Sequence, residues 1–125
     1  MFNGCTGLTS VGLTLNSATD IRNMFAFCEN ITSITTASFA EGVYATSLIA
    51  HSKVDSVSFN NVYQAIKDKN AVTDVNNCIC HVGVDSDILP QLQEMYGDLM
   101  YQWEGNQYAV KISADSNNFV MAVAN

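Results

Sequence analysis

Cys78-Ile79-Cys80-His81 is a run in which metal-ligating and nucleophilic side chains crowd together. Zinc takes thiolates and imidazoles, but its structural sites set ligand pairs two to four residues apart, with a second pair elsewhere. Here the gap is one residue, and the only other histidine, His51, is far off in sequence. A nucleophilic reading, Cys80 activated by His81, also needs an orienting acid, and no motif around the cysteines or serines supplies one. Asp85 and Asp87 have a carboxylate spacing that calcium uses, without the rest of a calcium loop. No phosphate-cradling glycine loop occurs. No catalytic, cofactor-binding or metal-ligating set is therefore read, no cofactor is expected, and the protein is not expected to be an enzyme. The simpler reading of the Cys-His run is a half-buried strand, and that of the two aspartates is helix capping.

The elements that would position these residues must come from one modest core. The chain has 125 residues, 48% of them hydrophobic, which suits a single domain. Charged residues make up only 14% and the net charge is −7, with five Lys or Arg that do not cluster. Nucleic-acid binding through phosphates is excluded on that count. No run approaches the roughly 20 apolar residues of a membrane span. The N-terminus lacks the basic and apolar segments of a signal peptide. The four cysteines permit disulfides, but no spacing requires them.

A repeat organises the first third. Met1-Phe2-Asn3-Gly4-Cys5-Thr6-Gly7-Leu8-Thr9-Ser10-Val11 matches Met24-Phe25-Ala26-Phe27-Cys28-Glu29-Asn30-Ile31-Thr32-Ser33-Ile34 at an offset of 23 residues. In repeat folds, equivalent side chains stack in columns, and one unit cannot bury its apolar face alone. Phe2 over Phe25, Leu8 over Ile31 and Val11 over Ile34 are the expected apolar columns. Cys5 over Cys28 is a fourth, read as buried thiols rather than a redox or metal pair. Asn30-Ile31-Thr32 fits a glycosylation sequon, but Ile31 is a core position, so the triplet is read as structural.

Residues 19–34, Thr-Asp-Ile-Arg-Asn-Met-Phe-Ala-Phe-Cys-Glu-Asn-Ile-Thr-Ser-Ile, resemble the BspA-like class of bacterial leucine-rich repeats. Ile21 stands where that pattern has Met, and Ala18 where it has Val. The resemblance covers about a third of the chain, and the remainder resembles the C-terminal end of such an array more weakly. It implies an α/β fold: a short leucine-rich-repeat solenoid with C-terminal helices and a β-hairpin cap. It also implies recognition and attachment, as in surface adhesins and phage structural proteins.

The expected organisation is a repeat-like unit over 1–98 and a hairpin and strand extension over 99–125, packed on the same domain. Val43 to Ile49 reads as a strand. Asp55 is placed to cap a helix from Ser56 to Lys67, whose Phe59, Val62, Tyr63 and Ile66 form one stripe. A competing register keeps the repeat step and sets Val54 and Val57 under Ile31 and Ile34. Asn77 to Val84 reads as a strand. Ser86 or Asp87 is placed to cap a helix to Tyr96, with Pro90 in its first turn, Gly97 as its stop, and Ile88, Leu89, Leu92, Met95 and Tyr96 buried. Gly105-Asn106 between two alternating runs reads as a hairpin, and Phe119 to Val123 as a last strand.

Tyr101, Trp103 and Tyr108 on that hairpin are the candidate partner-binding residues, since Tyr and Trp are favoured in binding hot spots. The competing role for them is covering the hydrophobic end of the repeat. The expected function is a non-catalytic protein-binding or attachment module of a phage tail or bacterial surface, located on a virion or cell surface. Its partner is a protein or cell-surface ligand, and it works as a homo-oligomer or within a larger assembly. The alternative is a small acidic inhibitor of a host protein, free in the cytoplasm.

Overall fold

The structure, a computed structural model, describes residues 4–18, 20–22, 24–40, 45–68, 78–114 and 119–125, with backbone alone at 45–47 and 78–80. Strand β1 (Ser10–Leu15) pairs in parallel with β2 (Ser33–Phe39), Ser10 beside Ser33 and Val11 beside Ile34. The sequence offset of 23 is therefore the register of this pair, and it lengthens by one residue at Gly12, which lies beside Thr36. The approach to each strand repeats the same turn: Leu8 N–H donates to Cys5 C=O, and Ile31 N–H to Cys28 C=O.

A third pass of the chain follows in β3 (Ala45–Val54). Phe25 N–H donates to Leu48 C=O, Phe27 N–H to Ala50 C=O, and Lys53 N–H to Ile31 C=O. The pattern then stops. Helix α1 (Ser56–Asp68) begins where a third strand beside β2 would lie. Asp55 caps it by accepting from Ser58 N–H at 2.8 Å. Val57, which the competing register would bury, is 68% exposed. The stripe of Phe59, Val62, Tyr63 and Ile66 is buried as its spacing predicts.

The helix also serves the edge of β2. Ile34 N–H donates to Ser58 Oγ at 2.7 Å, and Asn61 Nδ2 donates to Ile34 C=O at 2.8 Å. Two side chains thus satisfy backbone groups that a neighbouring strand would otherwise take. Removing the first bond by Ser58→Ala leaves a buried N–H without a partner. The expected loss is about 1–3 kcal/mol in a urea melt; no measurable change would show that another group takes over.

The main sheet has five strands in the order β3, β4 (Cys78–Val84), β7 (Phe119–Ala124), β6 (Gln107–Lys111) and β5 (Met100–Glu104). β3, β4 and β7 run parallel, while β7–β6 and β6–β5 are antiparallel. A 3-10 turn at Ser86–Ile88 leads into α2 (Leu89–Tyr96). The capping side chain is Asp85, which accepts from Asp87 N–H, rather than Ser86 or Asp87. Pro90 stands in the first turn, and Gly97 takes a positive φ at the stop. Ile88, Leu92 and Tyr96 are buried, Leu89 is half-buried, and Met95 is exposed.

These elements correct the expected fold class. Among the described residues the chain is a small mixed α/β domain of two sheets, two α-helices and seven strands, not a leucine-rich-repeat solenoid. The physical reason lies in β3. It matches β4 at Ala45–Cys80, Ile49–Val82 and Val54–Val84, so ten residues lie against five and the strand bulges twice. One edge of β3 bonds to the second pass and the other to β4. The stacking is thereby diverted into a mixed sheet rather than continued.

Candidate functional site

Of the expected columns, Phe2 lies outside the described residues, as do residues 43, 44 and 77 of the expected strands. Phe25, Cys28, Ile31 and Ile34 are buried, whereas Cys5, Leu8 and Val11 are half-buried. Neither Cys5 nor Cys28 forms a disulfide. Leu8, Val11, Gly12, Leu15, Ala18, Met24 and Phe25 line an apolar groove of about 520 Å³ beside β1. The side chains of Cys78 and Cys80 lie outside the described residues. Among the described residues no three His, Cys, Asp or Glu side chains gather as a metal set, and no helix is long and apolar enough to cross a membrane.

The hairpin places its aromatics on two faces. β5 and β6 meet through Gly105-Asn106, with Gly105 at a positive φ, and Tyr101 lies opposite Ala109 while Gln102 lies opposite Tyr108. The register shifts between Gln102 and Glu104, so Trp103 sits at a bulge, a device that re-aims a side chain. Tyr101 and Trp103, two residues apart, share one face, and their ring centroids are 6.3 Å apart. Trp103 leans on Phe119 at 5.3 Å, over a second small core of Ala109, Phe119 and Met121. Tyr108 is half-buried against the main core with Val110 and Met100, on the opposite face. The three candidates therefore divide: Tyr101 and Trp103 come together, and Tyr108 does not join them.

Tyr101 is 40% and Trp103 50% exposed, and every residue from 101 to 106 is exposed. β5 is an end strand of the sheet, so its outer row of N–H and C=O groups has no strand partner among the described residues. Such an edge can accept an extended segment of another chain through main-chain bonds, with exposed aromatics as anchors.

A second site was not singled out from sequence. A polar pocket of about 350 Å³ is lined by Glu29, Asn30, Thr32, His51, Lys53 and Asn125. His51 stands in the second bulge of β3 at φ 74, and its ring stacks on Phe27 at 4.4 Å, nearly parallel. Gly83 of β4 closely approaches Asn125, one of the lining residues, and Ser52. A Cβ there would lie 2.3 Å from both the N and the O of Ser52 and 2.9 Å from Asn125 Nδ2. An isolated glycine in Val82-Gly83-Val84 is the one sequence signal of that close approach.

No protein-family model, curated protein or solved structure matches this chain.

Proposed function

We propose that the protein is a non-catalytic binding module that attaches to another protein, as a component of a phage tail or a bacterial surface. The observation that carries this reading is the exposed Tyr101–Trp103 pair on the end strand β5. Two large aromatics turned to solvent beside an unpaired backbone edge offer both anchors and main-chain affinity. The resemblance of residues 19–34 to BspA-like repeats adds the sense of attachment, while the polar, weakly charged composition suits an outer surface.

Photo-crosslinking tests it. With benzoylphenylalanine in place of Trp103, irradiation in extracts or particles of the source is expected to give one dominant protein adduct. The same probe at exposed Glu94 of α2 is expected to give none. Absence of an adduct at 103, or equal adducts from both positions, would sink the reading. An adduct with a soluble cytoplasmic enzyme, instead of an envelope or particle protein, would favour the acidic-inhibitor alternative.

The reading includes assembly, and the partner at the apolar groove beside β1 is a second copy of this chain. Half-buried Leu8, Val11 and Met24 and the open edge of β1 lie at the same end, so one contact covers both. Sedimentation of the isolated chain is expected to run heavier than a monomer. A stable monomer at high micromolar concentration would overturn this part.

A further inference from the structure

Three residues at successive steps of the chain share an unusual backbone. Gly4, Phe27 and His51 have φ of 77°, 63° and 74°. Their bonding is also equivalent: Gly4 N–H donates to Ala26 C=O, and Phe27 N–H to Ala50 C=O. Gly4 and Phe27 therefore each hydrogen-bond to the residue that precedes the next member. Glycine adopts this left-handed region freely, as at Gly4, whereas bulky residues adopt it at a cost. Two rings are nevertheless held there, stacked face to face, and Phe27 is 51% exposed. Strain retained where glycine would relieve it points to use of the side chains.

The rings adjoin the polar pocket, whose wall His51 forms. Asn30 Nδ2 donates to Thr6 C=O at 2.6 Å, and Asn125 Nδ2 to Ser52 C=O at 2.7 Å. Each amide is thereby oriented by the backbone with its carbonyl oxygen left as an acceptor. Glu29 adds a carboxylate and Lys53 an ammonium, neither with a side-chain hydrogen bond among the described residues. The two charges offset one another, so the lining selects for neither anions nor cations. It offers both donors and acceptors at close range, beside an aromatic face.

We propose that this pocket binds a neutral saccharide. Sugar hydroxyls donate and accept together, which suits Glu29, Lys53 and the two amide oxygens. The C–H face of a pyranose carries slight positive charge and rests well on the negative face of a ring. A planar apolar ligand would leave the polar lining unpaired. His51 is the ring wall, and Phe27, stacked on it, holds the imidazole in place. This site lies on β3, at the opposite edge of the sheet from β5, and stands independently of the protein-binding surface there.

The test is saturation-transfer NMR with maltose, cellobiose, lactose and N,N′-diacetylchitobiose, each at about 10 mM, well above a millimolar Kd. Transfer to the ring protons of at least one sugar is expected. His51→Gly is expected to abolish it, and Phe27→Gly to weaken it at least tenfold. Both variants should keep or raise the urea midpoint, because glycine relieves the left-handed backbone. That combination separates a binding role from a structural one. No transfer from any of the four sugars, transfer that survives His51→Gly, or a lowered urea midpoint in both variants would overturn the proposal.

Discussion

Replacing Gly83 by alanine is expected to cost about 3 kcal/mol or more, at or beyond the top of the usual range for added core atoms. The new Cβ would meet two backbone atoms of Ser52 at 2.3 Å, not the end of a flexible side chain. Ser52 cannot step aside easily. Its Oγ donates to Cys28 C=O at 2.7 Å on one side, and its own C=O accepts from Asn125 Nδ2 on the other. β4 is equally fixed between β3 and β7. Elsewhere in a strand the same change would be neutral or favourable, because glycine weakens strands. A fall of less than about 1 kcal/mol in urea-melt stability would show that the bulge of β3 yields. The variant should also disturb the polar pocket, since Asn125, which lines it, would lie 2.9 Å from the new Cβ.

Phe59→Ala is expected to cost about 3–5 kcal/mol, the range for deleting a buried phenyl ring. Phe59 is fully buried and meets Tyr96 edge to face at 5.8 Å. Tyr96 in turn touches Tyr63 at 4.7 Å. These rings join α1 to α2, and Tyr63 Oη donates to Lys111 C=O at 2.7 Å, which ties both to β6. Tyr96 Oη donates to Asn60 Oδ1 at 2.8 Å. Burial pushes both phenols above their ordinary pKa, and for Tyr96 the neighbouring Tyr63 adds to it. The hydroxyls therefore remain donors, and relaxation around a lost Phe59 would have to break bonds they make. A loss near 1 kcal/mol would mean that the helices close the space at little cost.

Local signals in the sequence were sufficient for local structure. Asp55 with its stripe defines α1, and Gly105-Asn106 defines the hairpin. Those features depend on residues a few positions apart. Strand partners are another matter. Nothing in Cys78 to Val84 names Phe119 to Ala124 as its neighbour, because alternation tells which face a residue takes and not which strand it meets. The repeat misled for a related reason. It is real as the β1–β2 register, but the match covers eleven residues, and the helix signal at Asp55 that ends it does not say that β3 pairs with a new strand instead of continuing a solenoid. At the candidate sites, Tyr101 and Trp103 were readable by type and spacing. Tyr108 shares their type but not their face, because the bulge at Trp103 shifts the alternation phase across the turn. Phe27 and His51 were not readable, since no side-chain pattern marks a bulky residue for left-handed backbone.

The contrast between the two edges of the small sheet limits what copies of this chain can build. At Ile34 the edge of β2 is occupied by Ser58 and Asn61 from the same molecule, whereas β1 has no strand on its outer side among the described residues. A head-to-tail fibre needs two complementary ends, each able to receive the next subunit. With that edge of β2 shut from within, copies that pair through β1 alone close as a two-fold pair, and any further contact would have to use another surface, such as the edge of β5. Self-association through β1 alone would therefore be finite. Raising its concentration should fill one dimeric species rather than lengthen a polymer.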